Sequence, residues 1–191
     1  MQHTLLALQL FYPLPQAEPL RQSLRDLVQR APGDSAIEEK AAFFRAVVDT
    51  LVPWMGNAVR GVWDYVEDDG RANEEYRSWA EGTYRDAVEP KPDDRMGGGA
   101  YREGARSMFV TLLFLVKKGS NTDKTLCERC RMPEQTFFTR QAFHHILTGI
   151  PFFNFATVRG DAIYVRPGEA NQGVTEAELG EDKYAYLRVL T

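Results

Sequence analysis

The sequence predicts an α+β protein, with an α/β arrangement as the alternative: a small three- to four-stranded sheet with helices on one or both faces. Three observations carry this. Phe109-Val-Thr-Leu-Leu-Phe-Leu-Val116 holds seven apolar residues in eight between Gly104 and Gly119, the pattern of a strand buried on both faces. Two further strand candidates lie near the ends, Leu5 to Tyr12 and Ala162 to Arg166. The stretches between them carry apolar residues at helical spacing. Helical crossovers of this kind permit parallel pairing of the strands they join.

In chain order, Leu5 to Tyr12 is ended by Pro13 and Pro15, and Leu20, Leu24, Leu27 and Val28 then share one helical face up to Pro32-Gly33. Ser35-Ala-Ile-Glu38 has capping-box form and opens a helix with Ile37, Ala41, Phe44, Val48 and Leu51 as its apolar stripe. Pro53 predicts a kink or break, beyond which Trp54 to Val66 reads as a continued helical pattern. A further helix is expected from Asn73 to Val88. Glu89 to Gly99, with three consecutive glycines, reads as a flexible connection.

After the central strand, Lys117 to Asp123 reads as a polar loop leading to Cys127 and Cys130. Thr136 to Leu147 is expected to be helical, ended by Gly149 and Pro151. Thr175-Glu-Ala-Glu178 is a second capping box, and Tyr184 to Leu190 is apolar enough to fold back onto the body.

A length of 191 residues fits a single domain over 1–191, enough to bury a core without disulfides or metal. Two cysteines make no disulfide scaffold. The longest apolar runs fall well short of the ~18 residues of a membrane span, so the expectation is a soluble, cytoplasmic protein. Peripheral membrane association is compatible with this. The net charge of −4 conceals an asymmetry: residues 67–95 carry ten acids and five bases, and residues 96–166 ten bases and five acids. The acidic and Gly-rich stretch at about 67–100 reads as a mobile segment. No nucleic-acid partner is expected, because the bases do not interleave with aromatic residues as a stacking platform requires.

Several stretches together resemble a known family. These are Leu6-Ala-Leu-Gln-Leu10 with the Leu20 to Val28 helix, the Phe109 to Val116 strand, and Ala162-Ile-Tyr-Val-Arg-Pro167. Gly173-Val-Thr-Glu-Ala-Glu-Leu179 and Tyr184-Ala-Tyr-Leu187 complete the set, with a fainter match at Glu75-Tyr-Arg-Ser-Trp-Ala-Glu-Gly-Thr83. In layout the chain resembles domain-of-unknown-function family 1517, uncharacterised proteins of bacteria and plastids. The chain departs from that family in having Tyr164 where a Trp is usual, and in Cys127 and Cys130. The resemblance implies no activity and no catalytic residues.

Cys127-Glu-Arg-Cys130 is the sharpest chemical signal. Two thiols three residues apart suit a redox pair or half a metal site, and Arg129 and Arg131 would favour thiolate. A zinc site needs further ligands, which adjacent His144-His145 does not supply at finger spacing. No nucleophile motif or phosphate loop is legible, so no catalytic residue and no cofactor is assigned and an enzyme is not expected. Six of the eleven phenylalanines fall within residues 137–155. Of these, Phe137, Phe138, Phe152, Phe153 and Phe155 are candidates for an interface or pocket, against ordinary core packing. The leading expectation is a non-catalytic interaction or assembly module that binds a protein partner or itself. Its alternatives are a thiol redox or metal-binding protein using Cys127 and Cys130, and a small-ligand binder using the Phe137–Phe155 cluster.

Overall fold

The computed structural model describes residues 2–14, 16–33, 36–88, 106–167 and 173–191. Its centre is a pair of long strands, β1 (His3–Leu14) and β3 (Arg106–Lys117), antiparallel along their whole length from His3 opposite Lys117 to Leu14 opposite Arg106. On the far side of β1 lies β2 (Arg60–Val66), and on the far side of β3 lies β4 (Val158–Arg166). Two short strands complete the sheet: β5 (Val174–Thr175) on β3 and β6 (Arg188–Val189) on β2.

The fold is thus α+β. The sheet has six strands in the order β4–β3–β1–β2–β6, not three to four. Its neighbours pair antiparallel, not parallel as helical crossovers had allowed. The reason is that helices come in pairs: α1 (Glu18–Val28) with α2 (Ile37–Leu51), and α4 (Asn121–Cys130) with α5 (Arg140–Leu147). Each pair returns the chain to the end of the sheet it left, where only an antiparallel neighbour can start. β2 and β3 do run the same way, but β1 lies between them.

One further expectation is corrected. The pattern from Trp54 to Val66 is not one helix: Pro53 converts the end of α2 into a 3-10 segment, Val52–Asn57, and β2 follows. In β2, Gly61, Trp63 and Tyr65 turn to one sheet face and Val62 and Val66 to the other, a period of two that the aromatic residues disguised. Within the acidic stretch, the helix expected from Asn73 to Val88 is present as α3 (Asp69–Val88), which lies against the sheet through Ala72, Tyr76, Trp79 and Ala80. Residues 89–100 of that stretch, Glu89 to Gly99 among them, lie outside the described residues, as does Ser35, the expected cap of α2.

Alternation along β1 and β3 sends even-numbered residues to a first face and odd-numbered residues to a second. The first face is the larger core. Leu6, Leu8, Leu10 and Tyr12 meet Met108, Val110, Leu112, Phe114 and Val116 there, under α1, α2, α5 and the turns at Ile150–Phe152 and Phe155–Thr157. Phe44 of α2 stacks on Phe155 at 5.3 Å and meets Phe114 edge-on at 4.8 Å. Each such ring contributes about 1.5–3 kcal/mol by burial, with about 0.5–1.5 kcal/mol more for each aromatic pairing.

Close contacts fix small residues. A Cβ on Gly61 would come within 2.8 Å of the Phe143 ring, and one on Gly160 of β4 within 2.8 Å of Tyr76. Gly119, at φ +76°, makes the turn from β3 into α4. Asp123 secures that turn: Oδ1 accepts from Thr4 Oγ1 (2.7 Å) and Tyr65 Oη (2.8 Å), and Oδ2 from the Gly119 amide (2.7 Å). One carboxylate therefore ties α4 to both β1 and β2.

Candidate functional site

The second face is built differently from the first. At one end Leu5, Ala7, Leu113 and Leu115 lie under α3 with Val66 and Ala72. At the other end Phe11 stacks on Phe109 at 5.1 Å beneath the C-terminal segment, against Val174, Leu179 and Leu187. Between the two apolar clusters runs one row across four strands: Val62, Gln9, Thr111 and Tyr164.

Gln9 is 4% exposed and Thr111 fully buried. Gln9 Nε2 donates to Thr111 Oγ1 at 2.8 Å, and Tyr186 Oη donates to Gln9 Oε1 at 3.0 Å. A primary amide has two N–H donors and two carbonyl lone pairs, so these bonds leave one of each over. Burying polar groups at the middle of an apolar face costs free energy even when they are partly paired. Here the seam coincides with the gap between the two elements covering that face.

Above the seam is a cleft of about 210 Å³ lined by Gln9, Ser78, Trp79, Gly82, Phe109, Tyr184 and Tyr186. Helix α3 supplies Ser78, Trp79 and Gly82, and a Cβ at Gly82 would meet nothing within 4 Å. The opposite wall is set by the C-terminal segment. There Thr175 and Glu178 form the capping box of α6 (Glu176–Leu179), and a 3-10 turn at Asp182–Tyr184 and β6 follow. Trp79 meets Tyr186 edge-on at 6.2 Å, and Tyr184 meets Phe11 edge-on at 6.3 Å. The cleft has aromatic walls and an amide floor, and no charged side chain among the described residues that line it.

Elsewhere, the sites read from sequence are dispersed. Cys127 and Cys130 lie three residues apart on the last turn of α4, both as free thiols. Cys127 is half-buried and Cys130 buried. Burial, with Cys127 and Asp64 nearby, pushes the Cys130 thiol up to about 12. The expected lowering by neighbouring arginines is not what the geometry gives this thiol. Arg129 instead reaches α5, donating to the His145 carbonyl (2.9 Å) and Thr148 Oγ1 (3.2 Å). Among the described residues, no group of three His, Cys, Asp or Glu could hold a metal ion. His144 and His145 are both exposed on α5.

The Phe-rich segment encloses no pocket among those described. Phe143, Phe153 and Phe155 are buried in the first-face core, and Phe137 and Phe138 are half-buried. Phe137 packs edge-on against Trp63, whose Nε1 donates to its carbonyl. Only Phe152 stands out, at 71% exposed. A broader depression, lined by Glu38, Ala41, Ala42, Arg45, Ala46 and Asp49, is the outer side of α2 alone.

The sequence does not assign Gln9, Trp79, Tyr184 and Tyr186 to a site. A signal existed for the floor. Gln9 is the one polar residue in Leu5 to Tyr12, and Thr111 the one in Phe109 to Val116; antiparallel register places them opposite each other. Compared with protein-family models, with curated proteins and with solved structures, the chain matches none.

Proposed function

We propose that this chain is a non-catalytic recognition module whose ligand site is the aromatic cleft between α3 and the C-terminal segment. The observation that carries this is Gln9: a buried amide with hydrogen-bonding capacity to spare, on the floor of a ring-walled cleft. Ligand sites combine apolar and aromatic walls with a few convergent polar groups in this way. The lining offers ring faces, an amide and hydroxyls, a set suited to holding a molecule rather than to moving protons at neutral pH. This reading takes up the small-ligand alternative read from the sequence but moves it from the Phe137–Phe155 cluster to the opposite face of the sheet.

The thiol redox or metal reading loses ground, since a buried thiol held protonated is a poor nucleophile and a poor ligand. Association with a protein partner or a second copy retains one feature of the Phe-rich segment, the exposed Phe152 ring. The kinship with domain-of-unknown-function family 1517 stays a proposal and adds no activity. No helix among the described residues is long and apolar enough to cross a membrane.

The test is a screen of ring-containing fragments against the ¹⁵N-labelled chain. Shifts concentrated on the Trp79 indole, the Gln9 side-chain amide and Tyr184 to Leu187 are expected. Fragments that bind only around Phe152 or α4, or none that binds at millimolar concentration, would remove the cleft as the ligand site.

A further inference from the structure

Resting on that reading, we infer the chemical class of the ligand: a neutral, planar molecule of one or two fused rings carrying a carboxamide- or lactam-type edge that pairs with Gln9. Three observations converge on it. The first is size. Drug-sized ligands occupy pockets of roughly 300–1,000 Å³, and about 210 Å³ between Trp79, Tyr184, Tyr186 and Phe109 holds less than that. Ring walls favour a flat occupant, which offers them edges and faces at low conformational cost.

The second is charge. Among the described lining residues none is Lys, Arg, His, Asp or Glu, so these walls offer an ionised ligand no counter-charge for the hydration it would lose. A carboxylate would in addition have no use for the spare lone pair of Gln9 Oε1.

The third is the hydrogen-bond inventory of the floor. Thr111 and Tyr186 take up one donor and one acceptor of the Gln9 amide, and one N–H and one lone pair remain. A carboxamide, lactam or heterocyclic amide edge presents an acceptor and a donor on neighbouring atoms and answers both. A phenol or an ether meets this demand less fully, and an apolar ring meets none of it. A site that leaves buried polar groups unpaired with the wrong ligand discriminates strongly against that ligand.

The experiment titrates the full ¹⁵N-labelled chain with nicotinamide and uracil as probes. Nicotinate, cyclohexanecarboxamide and indole serve as controls for charge, planarity and the amide edge respectively. Nicotinamide and uracil are expected to shift the Gln9 side-chain amide and the Trp79 indole, binding about ten-fold or more tighter than each control, the size of one neutral hydrogen bond. In the Gln9→Leu/Thr111→Val variant, nicotinamide binding should fall by about ten-fold on the same basis, and indole binding by less. If that variant does not fold, the probe comparison on the unaltered chain still decides.

Indole binding as tightly as nicotinamide, or more so, would overturn the inference while leaving the cleft as a site, one for an apolar ring such as an aromatic side chain of a partner. Nicotinate binding as well as nicotinamide would also overturn it. If no probe perturbs the cleft, both the ligand class and the site fall.

Discussion

Replacing the Gln9–Thr111 pair is the most informative perturbation of this fold, because the two single changes and the double change should not add. In Gln9→Leu, Thr111 Oγ1 loses its donor at 2.8 Å and, being fully buried, has no water to replace it. An orphaned buried group costs about 1–3 kcal/mol. Tyr186 loses its acceptor as well, but at 42% exposed it can turn to solvent at little cost. In Thr111→Val the Gln9 N–H is orphaned instead, for a similar ~1–3 kcal/mol. In the double variant, Leu stands between Ala7 and Phe11, and Val between Leu113 and Phe109, so the apolar clusters of the second face become continuous. No buried polar partner is left behind, since the Tyr186 hydroxyl can reach solvent, and stability should match or exceed that of the original chain. The expected coupling is therefore about 1–3 kcal/mol, favouring the double variant over the sum of the singles. Urea unfolding of the four proteins, at unchanged m-value, measures it. A double variant destabilised by the full sum of the two singles would refute the reasoning, since it would mean that the seam holds the fold by something other than mutual pairing.

The Tyr12 hydroxyl is fully buried with no hydrogen-bond partner, and burial raises its pKa. Tyr12→Phe should thus stabilise the chain by about 1 kcal/mol, read as a higher urea midpoint; a lower midpoint would reveal a partner for that hydroxyl. Gly61→Ala should destabilise by about 1–3 kcal/mol through overpacking against the Phe143 ring, and an unchanged melting temperature would show that the ring moves aside freely. The raised pKa of Cys130 keeps its thiol protonated from neutrality into mildly alkaline solution, so iodoacetamide at pH 8 should label half-buried Cys127 and spare Cys130 in the native chain. Equal labelling of both, followed by mass spectrometry of tryptic peptides, would contradict the burial that protects it.

Strands β1, β3 and β4 are legible because their apolar runs are short and bounded by Pro or Gly. Strand β2 is not: Gly61 and Asp64 dilute its apolar pattern, and Trp54 and Met55, just upstream, mimic helical spacing. Helix α4 is not legible, its first residues falling in the polar loop read from Lys117 to Asp123, because its buried face is Thr122, Asp123, Leu126 and Cys130, too polar to show an apolar period. Its start was written in Ser120, whose Oγ accepts from the Asp123 amide. The Phe-rich segment shows what composition cannot decide, since of the adjacent Phe152 and Phe153 the first is exposed and the second buried. For the cleft, the floor was half-legible in two lone polar residues within apolar runs. Its walls were not, because Trp79 and Tyr186 are 107 positions apart in sequence and only the tertiary fold brings them within 6.2 Å.

The most direct measurement is a set of isotope-filtered NOEs between bound nicotinamide and the labelled chain. Contacts from the pyridine ring protons to Trp79, Tyr184 and Tyr186, together with contacts from the probe carboxamide to the Gln9 side-chain amide, are the predicted result. Contacts to Phe152 or to α4, with none to Gln9, would contradict it.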